Sequence, residues 1–295
     1  MMTLADPAGL VPVDKPPGAT SRAVVDVVAR AAGTKSVGHA GTLDPLARGV
    51  VVVCVGAATR LVDFLHELPK HYRAVFAFGR SSPSDDLETP VEFETDPPRP
   101  GAAEVAAAAA AMVGDILQRP CDYSAVHVGG KRAYRLARQG QSVELAPKPV
   151  RIERLEILAY QWPRLEVEVV CSSGTFIRAI GRDLAAALGT RAVMEALERT
   201  AIGPFSRAVA VEPDAVNPVS LSGLLLPPLA AVPHLPTVVV PAADLDGLAL
   251  GRPIILPPGA GDALAAVDDA GRLVGILRPL PAGGHRLRPS FIGHG

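Results

Sequence analysis

Asp44, in the stretch "GHAGTLDPLARG" from Gly38 to Gly49, is the residue whose type and setting most directly suggest chemistry. One carboxylate lies among glycines, a histidine, a threonine and a proline, just ahead of the apolar run "VVVVCVG". An aspartate followed by proline is in the first place a turn former, because its side chain can bond nearby backbone N–H groups. Two features support a second reading. The glycines let a partner approach the backbone closely, and the mouth of a buried strand can hold a site residue rigidly. With an unperturbed pKa of about 3.9, the carboxylate could serve as nucleophile or base. If buried, it needs a cation to stay charged. Arg178, in "GTFIRAIG", is a candidate that spacing alone does not fix.

The elements that must position these residues can be read from periodicity and caps. "GLVPVDKPPG" reads as a strand ending in a turn, and "TSRAVVDVVARAAG" as a helix capped by Thr20 or Ser21 and closed by Gly33. "GVVVVCVG" is a strand, "ATRLVDFLHEL" a helical pattern, and "KHYRAVFAFG" a strand. An acidic stretch and "TDPPRPG" make a surface loop. "AAEVAAAAAAMVGDI" then reads as an alanine-rich helix. "GGKRAYRLARQG" reads as a short helix with Lys131, Arg135 and Arg138 on one face. "PVRIERLEILAY" and "RLEVEVVCSSG" are strand-like, and "TFIRAIGRDLAAALG" returns to helix. No regular βαβ rhythm is present, so the expected class is α+β with a mixed, largely antiparallel sheet. "LLLPPLAAVPHLP" reads as a linker. It divides the chain into an expected catalytic domain, 1–232, and a small, mostly β module, 233–295, with a short helix "AADLDGLALG".

Composition narrows the function classes. At 295 residues and 48% hydrophobic, the chain can bury a full core. Its apolar runs are far shorter than the ~20 residues a membrane span needs, and the first residues lack a secretory pattern. A soluble cytoplasmic protein is therefore expected. Cys54, Cys121 and Cys171 form no CxxC pair, which argues against a disulfide framework or a zinc site. No phosphate loop, dinucleotide fingerprint or HExxH motif appears, so neither a cofactor nor a metal is expected. The net charge of −1 hides an uneven distribution. Between Ser124 and Arg154 seven basic residues face only Glu144 and Glu153, so the near-neutral total hides a basic stretch.

Five segments occur in order: "VDKPPGATS", "GHAGTLDPLARG", "KHYRA", "YSAVHVGGKRAYRLARQG" and "CSSGTFIRAIGRDL". Together, over roughly residues 9–205, they resemble the TruB family of tRNA pseudouridine synthases. The tail is similar to the small RNA-binding PUA module that often ends these proteins. The resemblance implies an isomerase that converts uridine 55 in the T loop of tRNA to pseudouridine, exchanging the C1′–N1 bond for C1′–C5. It needs no cofactor and flips the target base out of its stack.

The resemblance also implies roles for particular residues. Asp44 is the catalytic aspartate, acting by one of two routes: attack at C6 of the uracil, or assistance to cleavage at C1′. Tyr72 stacks on the base and can help manage the C5 proton, and Arg178 pairs with the carboxylate. Phe176 stands where many relatives carry tyrosine, so only a packing role is expected there, beside the pocket leucine Leu197. His39 is placed against the RNA near the gap left by the flipped base. Lys15 is either an RNA contact or a support for its turn. Lys131, Arg132, Arg135 and Arg138 meet tRNA phosphates. Asp86 falls near an acidic family position, but "SSPSDDLETP" departs from the threonine-rich pattern and gives it no clear task; Arg48 is another departure. The tRNA T stem-loop is the expected partner of a monomer that needs no guide RNA.

Overall fold

The computed structural model describes residues 8–124, 126–128, 130–141, 145–256, 261–281 and 283–291, apart from the side chains of Val128 and Lys131. The chain begins with β1 (Gly9–Lys15), α1 (Ser21–Ala32), β2 (Val37–His39) and β3 (Arg48–Val55). A 3-10 turn, Gly56–Leu61, leads into α2 (Val62–Glu67) and β4 (Lys70–Phe78). Next come β5 (Arg80–Ser81), β6 (Glu92–Phe93), α3 (Ala102–Ala111), β7 (Gly114–Gln118), β8 (His127–Val128), β9 (Lys131–Arg132) and α4 (Ala133–Arg138). The long strands β10 (Lys148–Gln161) and β11 (Arg164–Cys171) precede α5 (Ile177–Ala187), β12 (Ala192–Ile202) and β13 (Phe205–Ser206). After α6 (Leu221–Leu224), the tail holds β14 (Thr237–Val239), α7 (Ala242–Ala249), β15 (Leu264–Val267), β16 (Leu273–Pro279) and β17 (His285–Ser290).

Among the described residues, nine strands form the main sheet, in the order β1-β3-β12-β4-β11-β10-β7, with β2 and β13 at its side. Its pairings are antiparallel except for the short parallel contact of β12 with β3, where Glu198 lies opposite Arg48 and Arg199 opposite Gly49. This is the mixed, largely antiparallel α+β arrangement expected. Gly49 has φ 112°, and a Cβ there would lie 2.2 Å from the Arg199 carbonyl oxygen. Only a glycine lets the two strands meet at that point.

Alternation along the strands builds two layers. Tyr72, Ala74, Phe76 and Phe78 of β4 and Leu165, Val167 and Val169 of β11 share a core with Val24, Val25 and Val28 of α1 and Ile180 and Leu184 of α5. Helix α5 sits directly on the sheet at Gly181, where a Cβ would be 2.2 Å from the Phe76 ring. That close approach sets Arg178, one turn earlier, over the end of the sheet. On the other face, Val50, Val52 and Cys54 pack with Phe64, Leu65, Ile202 and Phe205. The tail's four strands, ordered β14-β15-β16-β17, bring Ala265, Leu273 and Ile276 into that same cluster.

Several elements follow their sequence signals. Thr20 Oγ1 accepts from the Ala23 N–H at 3.1 Å to start α1, and Gly33, with φ 62°, ends it. Others depart. The alanine-rich helix stops at Ala111, and the last three residues of the expected helix, Gly114–Ile116, instead belong to β7, paired to β10. "VMEALERTAI", to which sequence periodicity assigns no element, is the central strand β12. The basic segment is a β8–β9 hairpin followed by a helix of only six residues, so Lys131 and Arg132 stand on a strand and not on the helix. No helix among the described residues is long and apolar enough to cross a membrane.

Candidate active site

The loop between β2 and β3 carries Asp44 and has few ladder partners of its own, so side chains hold it. Ser21, in the first turn of α1, both donates to the Leu43 carbonyl at 3.1 Å and accepts from the Leu43 N–H at 2.8 Å. Lys15, with no exposed surface, donates from Nζ to the carbonyls of Pro16 at 2.9 Å and Ala19 at 2.8 Å. It reaches Pro45 O at 3.4 Å and also bonds Ala47 O. Burial draws its pKa down to about 8. Of the two roles open to Lys15 in the sequence, turn support is the one the structure shows. The ammonium is engaged by these backbone carbonyls and is fully buried, which leaves it no open face toward the cleft.

A second arginine, on β12, completes the frame. Arg199 donates from Nε to Val50 O at 2.7 Å, from Nη1 to Thr42 O at 3.3 Å and from Nη2 to Gly41 O at 3.1 Å. Neither the motifs nor the periodicity of the sequence singles it out. Its one signal is a charged residue within an apolar-rich stretch, and that signal gains meaning only once the stretch is known to be a central strand.

Arg178 Nε lies 3.2 Å from Asp44 Oδ2, and its Nη1 lies 3.3 Å from Asp86 Oδ2. Its remaining donors go to Ser84 O at 2.8 Å and Tyr123 O at 2.9 Å. Arg178 and Asp86 are 5% and 2% exposed, whereas the Asp44 side chain keeps 33% of its surface open. Asp44 is thus hemmed in yet reachable. Burial pushes its carboxyl above the usual 3.8, Arg178 is the strongest influence pulling it back, and Asp86 and Glu88 add a smaller push upward. Asp86, for which the sequence gives no clear task, is fixed by the Ser84 hydroxyl at 2.6 Å and the Glu88 N–H at 2.9 Å, and so steadies the guanidinium.

Asp44 opens on a cleft of about 750 Å³ whose walls include Tyr72, Phe176, Arg178, Leu197 and Arg199. Tyr72 is 8% exposed and faces Arg199 across the β4–β12 pairing. Burial raises the Tyr72 phenol, with Arg199 the main opposing influence. Phe176 is pinned just ahead of α5: its N–H donates to Gln118 Oε1 at 2.8 Å, and its carbonyl accepts from Gln118 Nε2 at 3.2 Å. His39 borders the same cleft, with a buried Nδ1 that has no partner among the described residues. Burial and then Arg199 lower its pKa.

Arg132, Tyr134 and Arg138 line the outer part of this cleft. Arg138 pairs with Glu88 and lies 5.6 Å over the Tyr134 ring. The side chain of Lys131 lies outside the described residues. Only Arg135 and Arg138 share helix α4, so the single basic face expected for Lys131, Arg135 and Arg138 is replaced by a hairpin and a helix that each carry charge. Arg48 pairs with Glu198 at 2.9 Å, in company with Arg207.

Comparison with known proteins gives this geometry its context. The fold matches that of an H/ACA RNP bound to a substrate RNA containing 2′-deoxyuridine, with a TM-score of 0.74 at 21% identity, covering 97% of this chain and 85% of that one. A Cbf5-Nop10-Gar1 complex gives a TM-score of 0.73 at 22% identity, over 96% and 84% of the two chains. The fold, with its mixed sheet and small four-stranded tail, is that of the pseudouridine synthases. The model of the TruB family pseudouridylate synthase N-terminal domain matches residues 29–177. The tRNA pseudouridine synthase B of Mycobacteroides abscessus is 42% identical over 277 residues, 92% of each chain. That of a Caulobacter species is 40% identical, over 88% of this chain and 85% of its own. The chain belongs to the TruB family, and it is an isomerase.

Proposed function

We propose that this protein converts uridine 55 in the T loop of tRNA to pseudouridine, acting as a monomer on the T stem-loop without a guide RNA. The observation that carries the reading is the ion pair between Arg178 and a reachable Asp44 on the floor of a nucleotide-sized cleft. It stands in a chain whose relatives at about 40% identity are named for tRNA pseudouridine synthesis.

The reaction exchanges C1′–N1 for C1′–C5, so N1 gains a proton and C5 loses one, with no net redox change. Whether Asp44 attacks C6 or assists at C1′, it must be ionised and aimed, and Arg178 supplies both conditions. Flipping the uridine costs a few kcal/mol of stacking. Stacking on an aromatic face offsets ~1–3 kcal/mol per base, a task for Tyr72, with Phe176 and Leu197 packing the base. Tyr72 is also the hydroxyl available to the C5 proton, while Phe176 can offer only its ring. His39 contacts the RNA beside the emptied stack. Lys131, Arg132, Arg135 and Arg138 take phosphates, and the tail, 233–295, adds RNA contacts of its own.

The test is release of tritium from tRNA labelled at uracil C5. Asp44→Ala is expected to lower release at least a thousandfold while tRNA binding stays within a few-fold of wild type. Substantial turnover by that variant would sink the assignment.

A further inference from the structure

Arg199 is a buried cation with no ion pair among the described residues. It is 1% exposed, and its described hydrogen-bond partners are the three backbone carbonyls of Gly41, Thr42 and Val50. Keeping such a charge in a core costs stability, and an apolar side chain of similar volume is often at least as stable. A residue that breaks this rule beside a reactive cleft is better explained by function than by folding.

The geometry indicates what that function is. Gly41 and Thr42 precede Asp44 and Val50 follows it, so the guanidinium grips both ends of the loop that carries the carboxylate. Arg199 itself extends from the strand position directly opposite Tyr72. The planar fork suits this task, since it can reach three carbonyls in fixed directions, whereas a lysine ammonium is a compact point charge on a flexible stem. Gly49 allows the Arg199 backbone to lie against the start of β3, which shortens the reach.

We propose that Arg199 is a positioning residue of the reaction: it sets Asp44 against Tyr72 by clamping the catalytic loop, and it holds a fixed positive charge beside the flipped base. The inference rests on the function proposed above. Cleavage of the glycosidic bond leaves the electron pair on the uracil ring, and a fixed cation beside the ring favours that charge. The same charge opposes the rise that burial imposes on the Tyr72 hydroxyl.

The experiment compares full-length wild type, Arg199→Lys and Arg199→Met on a T-stem-loop RNA tritiated at uracil C5. It measures single-turnover rate and, separately, RNA affinity by filter retention. Arg199→Met is expected to lose at least a hundredfold in rate with Kd within threefold of wild type. Arg199→Lys, which keeps charge but not the fork, is expected to lose about tenfold. A wild-type rate in either folded variant overturns the proposal. So does a parallel loss of rate and affinity of equal size in both, which is what a merely structural role produces. If Arg199→Met does not fold, Arg199→Lys decides by the same criteria. A wild type that releases no tritium refutes the proposed function itself, whereas an active wild type with indifferent variants refutes only the role of Arg199.

Discussion

The loop that carries Asp44 and the segment that carries Arg132 and Arg138 border one cleft but are held in different ways. The loop is fixed from three sides by buried side chains, those of Lys15, Ser21 and Arg199, each bonded to its backbone. The basic segment rests on a small cluster of its own, Ala133 and Leu145 with Val126 and Leu136. It touches the rest of the site through polar ties such as Arg178 to Tyr123 O and Arg138 to Glu88. Under the proposed function, the difference follows from what each would have to do. A nucleophile or base loses rate steeply when displaced by an ångström, while phosphate contacts set register and tolerate variation in geometry. On that reading, precision is built where bonds would change, and adaptability is left where the backbone of a substrate would be gripped.

The comparison can be broken most forcefully at Arg178. Arg178→Met removes the strongest influence holding the Asp44 carboxyl down and leaves only the weaker pull of Lys15 against burial. Burial already raises that carboxyl above 3.8, so the acid limb of kcat/KM in the wild type should lie above the ordinary carboxylate range. In the variant the limb should move further up, and the rate at neutral pH should fall at least a hundredfold. A pH profile of tritium release from pH 5 to 8 checks both; an unmoved limb would mean that the guanidinium does not control the ionisation.

Lys15→Met tests the rigid half by stability. Stranding a buried carbonyl costs about 1–3 kcal/mol. Of the four that Lys15 bonds, only the bond to Ala47 O is fully buried and Pro45 O keeps the Gly18 N–H, so urea unfolding should show a loss of roughly 2–4 kcal/mol. RNA affinity of the folded fraction should be unchanged. A loss of affinity without loss of stability would return Lys15 to the RNA surface. The smallest effect belongs to the adaptable half. Arg132→Gln with Arg135→Gln should weaken tRNA binding and flatten the log–log salt dependence by about 0.7–0.9 for every phosphate no longer neutralised. An unchanged slope removes those side chains from the interface.

Local chemistry makes part of this legible from sequence. Thr20 and Gly33 bound α1 because caps are local devices, and the apolar faces of β3, β4 and α5 repeat at their expected periods. The candidacy of Arg178 as partner to Asp44 follows from the need of a buried carboxylate for a cation, and the two groups are in contact. What stays hidden is set by distant parts of the chain. Ala192–Ile202 has the alanine, methionine and glutamate of a helix, yet pairing with β4 and β3 on its two sides makes it a strand. Arg199 is hidden with it. The fate of Gly114–Gln118 is decided in the same way, by an open edge of β10 and not by the alanines before it.

The tail's seat on the main sheet has a practical consequence. Ala265, Leu273 and Ile276 share one apolar cluster with Leu10, Val52 and Phe64, while Arg60 Nη1 donates to Ser290 O at 2.8 Å and Arg278 lies 5.4 Å over the Phe64 ring. Cutting the chain near residue 232 would therefore expose a greasy flank of the catalytic half. A shortened protein that fails to modify RNA would then report insolubility or loosened strands as readily as a missing grip on RNA. Surface substitutions on β16 and β17 that spare those three inward residues are the cleaner way to ask what the tail contributes.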